Sequence, residues 1–480
     1  RSNIAILNYL GLALAAYIVI YALPKPWLLL VALVPAFFSI EPVPHKVGAG
    51  ELTVATLLVL FVCSTFFYEF KNKRVANIKF ILISSSIFLT LISLSCLHSI
   101  DRGISLETWF RAVAPFLLWY LIIPTSLVLH ESFDYKIKWI FIAFGALAIS
   151  LILFMNFIFF HNDLYKLFWL DQNGVKFFNL DNLRDLNQFT GPYRERITII
   201  FSQATSEILP ISLVVFLLIA LFEKRQYIRI LALVISTIAL FTILETFTRS
   251  MLLSAAFVFI ILGVWFLFID FRLAKKYMKM MSILVISGLS FVYALNIESI
   301  WLGRMGVLVR ELFSVQKIFS SLKIIDENIT SRLEEYRIAY RIFCDNILFG
   351  GGLGIKHNMS FLVSGDHYLH QSVAYVHSWV FYWLMVGGVS GFLIYLSLLS
   401  LPIITALSLD SSDKRIKFIM FSAVSIMSFY ALFFAVFRLF TFNLIIAIIC
   451  GISVCILRNK KTFLVSQKIP LIRAPQELMT

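Results

Sequence analysis

Arg332, Arg337 and Arg341 lie within ten positions of one another, followed by Gly350-Gly351-Gly352-Leu353-Gly354 and then by His357, His367, His370 and His377. A guanidinium stays charged and offers a planar fork that matches phosphate oxygens. A neutral imidazole accepts a proton near neutral pH. Together these types suit a phosphate-bearing substrate and a hydroxyl that must be deprotonated. Asp366, His367 and His370 could approach a metal ion, but no cysteine joins them and their spacing fits no strong zinc pattern. The expectation is a chemistry without metal or other cofactor.

Three further cations stand beside apolar runs. Arg249, in Glu245-Thr-Phe-Thr248-Arg249-Ser250, sits where two such runs meet. A charge there is unfavourable unless it is paired or lines a cavity, and Glu245 at i,i+4 offers a purely structural partner. Arg194 and Arg196 precede another run, where a basic interfacial anchor is the plainer reading. His377 directly precedes the apolar run 378–407, which predicts a position at the mouth of a span. Ser331 to Phe343 reads as an amphipathic helix capped by Thr330 or Ser331, with Glu334, Arg337 and Arg341 on one face. Arg332 has no acidic residue at i+4, which leaves it free for a ligand. The glycines 350–354 end that helix and allow tight turns.

The elements that must carry these residues are membrane helices. The 480 residues are 60% hydrophobic, with mean hydropathy +0.89. That excludes a soluble chain, and continuous apolar runs exclude a β-barrel. Runs at 4–23, 52–69, 80–97, 110–130, 139–160, 207–222, 228–247, 250–270, 279–295, 378–407, 418–440 and 442–457 predict an all-α, polytopic membrane protein with about twelve transmembrane helices. Segment 27–41 is short enough to be re-entrant or a tilted thirteenth span. The chain opens on Arg1, and its first run reads as a span rather than a cleavable signal.

The net charge of +14 reflects basic linkers, not nucleic-acid binding. Those around Lys71–Lys79, Lys136–Lys138, Lys224–Arg229, Arg272–Lys279, Lys414–Lys417 and Arg458–Lys461 all fall on one side when the runs alternate. That side is the cytoplasm. The long linkers 161–206 and 296–375 then face outward, and both are balanced, with five basic and five acidic residues in 161–206 and eight of each in 297–374. The division expected is an N-terminal bundle (1–295, with outer loop 161–206), a large periplasmic loop (296–375), and C-terminal helices with a short basic cytoplasmic tail (376–480). Four of the five cysteines lie in apolar runs, and no disulfide framework is expected.

Four segments resemble the O-antigen ligase and O-antigen polymerase superfamily. Arg196 with Phe201 and Gln203 resembles the family's arginine before a span, without its usual glycine and Pro-Asn. Thr248-Arg249-Ser250 resembles its Ser-Arg-Gly turn. Ser331-Arg332 and the helix leading to Gly350–Gly354 resemble its arginine helix and glycine turn. Val376-His377-Ser378-Trp379 through Gly387-Gly388-Val-Ser-Gly391 is similar to its His-Asn element and Gly-x-x-Gly span, with Ser378 in place of Asn. The resemblance covers about residues 190–400. It implies a GT-C-like, metal-independent glycosyltransferase of the bacterial inner membrane, facing the periplasm. The donor would be a glycan on a polyprenyl (undecaprenyl) diphosphate. The acceptor would be another glycan (polymerase) or the lipid A-core (ligase). His377 would be the base, Arg249 and Arg332 the diphosphate ligands, and Arg196, Arg337 and Arg341 second choices. The substantial first outer loop, and the spacing from Arg341 to Gly352, lean towards a polymerase. A lipid or glycan transporter is the reading from another class, but it predicts pseudo-symmetric halves and mid-membrane charges, and no repeat is present.

Overall fold

The computed structural model describes Tyr21 and residues 23–36, 49–160, 208–245, 249–294, 327–364, 367–408 and 414–468. Apolar run 4–23, the loop 161–206 with Arg194 and Arg196, and the first part of the second loop lie outside these. In chain order the helices are α1 (Pro26–Ala36), α2 (Ala49–Lys71), α3 (Val75–Asp101), α4 (Leu106–Val113), α5 (Ile122–His130), α6 (Phe133–Phe160), α7 (Ile208–Phe222), α8 (Gln226–Glu245), α9 (Arg249–Ile269), α10 (Phe271–Ala294), α11 (Glu327–Asp345), α12 (Trp379–Ser408), α13 (Lys414–Tyr430) and α14 (Phe440–Lys468). Two 3-10 turns, Ala114–Leu121 and Ala435–Arg438, join α4 to α5 and α13 to α14.

Among the described residues nine helical segments are long and apolar enough to cross a membrane, and α1 and α7 are shorter apolar helices. The chain is thus an all-α, multi-pass membrane protein. Each predicted run from 52–69 onward has a helix. The core lies where α7, α9, α12, α13 and α14 meet, with Leu213, Val258, Leu262, Tyr382, Met427 and Phe442 each at 1% exposure or less.

The described part of segment 27–41 lies in the 11-residue α1, about 16 Å long at about 1.5 Å per residue. Its entry, Lys25, lines one cavity of about 240 Å³ with Arg74, Glu131 and Lys136. That is the face of the basic linkers, to which α2 returns at Lys71. α1 therefore starts at the face on which α2 ends. Residues 37–48, which join the two, lie outside the described residues.

Two features depart from the sequence expectation. The outer loop is not purely helical. Its second part is an antiparallel hairpin, β1 (His357–Ser364) with β2 (His367–Val373), in which His357 faces Val373 and Phe361 faces Leu369. The larger departure is in run 378–407, expected as one span. A continuous helix would hold Trp379 and Tyr395 about 24 Å apart. Their rings lie 5.4 Å apart, and Trp379 stacks on Phe392 at 5.8 Å. The helix doubles back at Gly388, where φ is +59°.

Backbone exchange explains how that break survives. In an unbroken helix Val389 and Ser390 would donate to Met385 and Val386. Instead Val389 N–H donates to Ile347 O (2.8 Å) and Ser390 N–H to Leu348 O (3.1 Å). The two carbonyls so released accept from Gly351 N–H (2.7 Å) and Gly352 N–H (3.0 Å). Each group freed by the kink is satisfied by the glycine turn, as a buried backbone requires. The approach needs glycine on both sides. A Cβ on Gly350 would lie 2.5 Å from Gly388 N, and one on Gly388 would lie 2.5 Å from Ile347 O.

Candidate functional site

The fold-back removes His377 from the mouth of a straight span and seats it between three elements. Trp379, just after it, anchors this position by donating its backbone N–H to Ala431 O (3.1 Å) and its indole N–H to Ser428 O (3.0 Å). These carbonyls stand at the end of α13, where a helix leaves acceptors unpaired. The imidazole is walled by Tyr375 at 5.1 Å and Phe434 at 6.3 Å between ring centroids.

α11 supplies the opposite side. It begins at Glu327, so Thr330 and Ser331 lie inside the helix and do not cap it. Arg332, Glu335, Tyr336, Ala339 and Ile342 follow helical spacing and form its inward stripe. Tyr336 stacks on Phe381 at 4.5 Å, fixing α11 against the re-entrant part of α12. This packing carries Glu335 to 1% exposure beside His377, whose side chain is 15% exposed.

The carboxylate meets the histidine twice. Glu335 Oε2 accepts the backbone N–H of His377 at 3.1 Å, and Oε1 lies 2.7 Å from His377 Nδ1. An ionised carboxylate can only accept. Nδ1 must then carry the ring proton, which leaves the Nε2 lone pair free to take another. Burial raises the Glu335 pKa to about 7, against the pull of Arg332. The Glu335 carboxyl therefore changes protonation near neutrality.

Arg332 stands beside this pair with Nη1 3.6 Å from Glu335 Oε2, close enough for attraction but not for a hydrogen bond. That nitrogen is buried with no hydrogen-bond partner among the described residues. Burial lowers the Arg332 pKa and the Glu335 charge opposes it. An unsatisfied guanidinium N–H at the edge of a buried dyad is a natural place for an anionic oxygen.

The other residues singled out from sequence divide clearly. Arg337 is 66% exposed and 4.0 Å from Glu334, on the face of α11 turned away from His377, and Arg341 is exposed as well. Arg249 opens α9, with its side chain outside the described set, as are those of His367 and His370 on β2. Arg196 and Asp366 lie outside the described residues. His357 is buried at 6% exposure, its ring nitrogens without partners among the described residues, and burial lowers its pKa. Among the described residues no cluster of histidine, cysteine and carboxylate groups could hold a metal ion.

Sequence reasoning missed Glu335. The available signal was the pair Glu334-Glu335 in a helix, with Glu335 at i+3 from Arg332. The search at i+4 passed over it. It also missed Arg438, the only charged residue between Lys417 and Arg458.

Fold and site define a multi-pass membrane protein whose outer-loop helix and broken span bring a carboxylate, a histidine and an arginine together. Residues 231–396 match the O-antigen ligase family, from α8 to just past the break in α12, and bear out the resemblance to the O-antigen ligase and polymerase superfamily. The match points to a glycosyltransferase-like activity over that stretch. No curated protein matches the chain.

Proposed function

We propose that the protein is a metal-independent, inverting glycosyltransferase that moves a glycan from a polyprenyl diphosphate to an acceptor sugar hydroxyl at the periplasmic face. The observation that carries this reading is the buried Glu335 carboxylate bonded to both the backbone and Nδ1 of His377. That arrangement sets the tautomer with Nε2 unprotonated, as a general base requires.

The diphosphate is already a good leaving group, so the protein must hold its charge and deprotonate the acceptor. The acceptor O–H gives its proton to His377 Nε2 while its oxygen attacks the anomeric carbon. The C–O bond to phosphate breaks on the opposite face, inverting the centre, and the electron pair leaves on the diphosphate. Glu335 stabilises the imidazolium that forms. Arg332 stabilises charge growing on the leaving group. Arg249 and Arg196 are the further donor ligands in this reading. Arg337 and Arg341, on the exposed face of α11, are left to the periphery.

The acceptor in this reading is a second lipid-linked glycan, as a polymerase uses. The matched family's description names a ligase, whose acceptor would be the lipid A-core. The glycan banding of a strain lacking the protein separates them. A core carrying a single unit marks a polymerase, and a bare core with lipid-linked polymer accumulating marks a ligase. Transfer by purified protein with polyprenyl-diphosphate-linked glycan tests the shared chemistry. Activity equal to wild type in His377→Ala overturns it.

A further inference from the structure

A second arginine near His377 is Arg438, which lies beyond the matched residues. It ends the 3-10 turn Ala435–Arg438, and its guanidinium lies over the Tyr375 ring at 5.2 Å. Tyr375 in turn touches His377 at 5.1 Å. Among the described residues no carboxylate or hydrogen-bond acceptor engages Arg438. A lone charge between two apolar helices is unfavourable without a partner or a polar cavity.

The turn that carries it is held firmly. Asn443, fully buried, donates one amide N–H to Phe437 O (2.8 Å) and the other to Leu439 O (2.8 Å), the carbonyls flanking Arg438. Its own oxygen accepts the indole N–H of Trp119 at 2.8 Å. Phe437 packs on Tyr382 at 5.0 Å. Tyr382 is fully buried, within electrostatic range of Arg438, and its hydroxyl has no hydrogen-bond partner among the described residues. A cation resting on an aromatic face uses its π surface, leaving its in-plane N–H groups free for a bidentate acceptor. The Tyr375 ring beside the base thus carries the Arg438 guanidinium on its face and lies within electrostatic range of Arg332, whose own guanidinium is unsatisfied among the described residues.

We infer that Arg438 is a diphosphate-binding residue, forming with Arg332 a two-armed clamp beside His377 that selects a diphosphate over a monophosphate. This rests on the donor chemistry proposed above. A single phosphate reaches one arm, whereas two linked phosphates can engage both.

The test measures binding of farnesyl diphosphate, farnesyl monophosphate, inorganic pyrophosphate and farnesol to the full-length protein in nanodiscs. Wild type should bind farnesyl diphosphate most tightly. Arg438→Gln should weaken that binding about 10- to 100-fold, the loss of one charge-assisted contact pair, and should narrow the preference over monophosphate. Arg438→Lys, which keeps the charge and loses the fork, should fall between them and shows whether the effect survives conservative replacement. Pyrophosphate binding as tight as that of farnesyl diphosphate would assign the site to the free anion. Binding that needs the farnesyl chain supports a lipid diphosphate. If Arg332→Gln loses diphosphate binding while Arg438→Gln and Arg438→Lys stay within twofold of wild type, the clamp is wrong and the donor reading stands. If wild type does not distinguish farnesyl diphosphate from monophosphate and farnesol, both fall.

Discussion

Replacing Glu335 with glutamine tests the reasoning most directly, because it changes charge and hydrogen-bond direction but not size. The carboxylate accepts from two donors, the backbone N–H of His377 at 3.1 Å and Nδ1 at 2.7 Å. Glutamine has one oxygen and one NH2. The backbone N–H can only donate, so it claims the oxygen, and the NH2 then points at Nδ1. Nδ1 becomes an acceptor and the ring proton moves to Nε2, the atom that must be free. Loss of one charge-assisted hydrogen bond, about 1.5–3 kcal/mol, alone lowers kcat about 10- to 150-fold, and the wrong tautomer adds to it. Donor KM should change little, since Glu335 at 1% exposure does not face the donor. The assay is transfer by purified protein at saturating donor, across pH 5–9. Wild-type activity should be full above the Glu335 pKa of about 7 and lost as pH falls through it, because a protonated carboxyl donates to Nδ1. A Glu335→Gln enzyme with kcat within threefold of wild type, or with the same acidic limb, would refute the dyad.

Four other outcomes are expected. His377→Ala should fold and bind donor but transfer about 10²–10⁴-fold more slowly, read by turnover and by donor binding side by side, and EDTA should leave wild-type turnover unchanged. Arg332→Lys should lose most activity with normal thermal unfolding, since it keeps charge without the fork. Gly388→Ala should destabilise the protein by at least about 1–3 kcal/mol, seen as an earlier unfolding midpoint in detergent, because φ is +59° and its Cβ would meet Ile347 O at 2.5 Å. Cys344, exposed on α11, should react with an impermeant maleimide in intact spheroplasts when it is the only cysteine left, whereas a cysteine placed at Lys276 should not. The reverse pattern would invert the orientation.

Most helices were legible because length and continuous hydropathy are enough to mark a bilayer-spanning segment, as α2, α3 and α9 show. The break in α12 was not. Hydropathy reads 378–407 as one run, and a glycine pair inside an apolar segment is equally compatible with close helix packing. Only the partner loop reveals that Gly350 and Gly388 need each other. The hairpin after Gly354 was hidden differently. Its alternating strands flank a Gly365-Asp366 pair that is a turn signal, yet attention to the histidines as ligands passed over the period of two. Arg332 and His377 were singled out by type and position. Glu335 was missed because its role comes from packing α11 against the folded-back helix, a long-range contact that no local spacing encodes.

The exchange of backbone hydrogen bonds at Gly388 also bears on how the protein is made. A machinery that inserts helices by apolarity meets Trp379–Ser408 as one 30-residue segment. Residues 347–352, synthesised before it, carry the donors and acceptors that let its first turns bend back, and each group left bare in lipid costs several kcal/mol. The upstream loop therefore acts as an intramolecular template for the span that follows it. Assembly of the site then requires this loop and span to pair, a step that apolarity alone does not direct. A variant of this loop that cannot pair would leave the break in α12 unsatisfied, and with it the seat of His377.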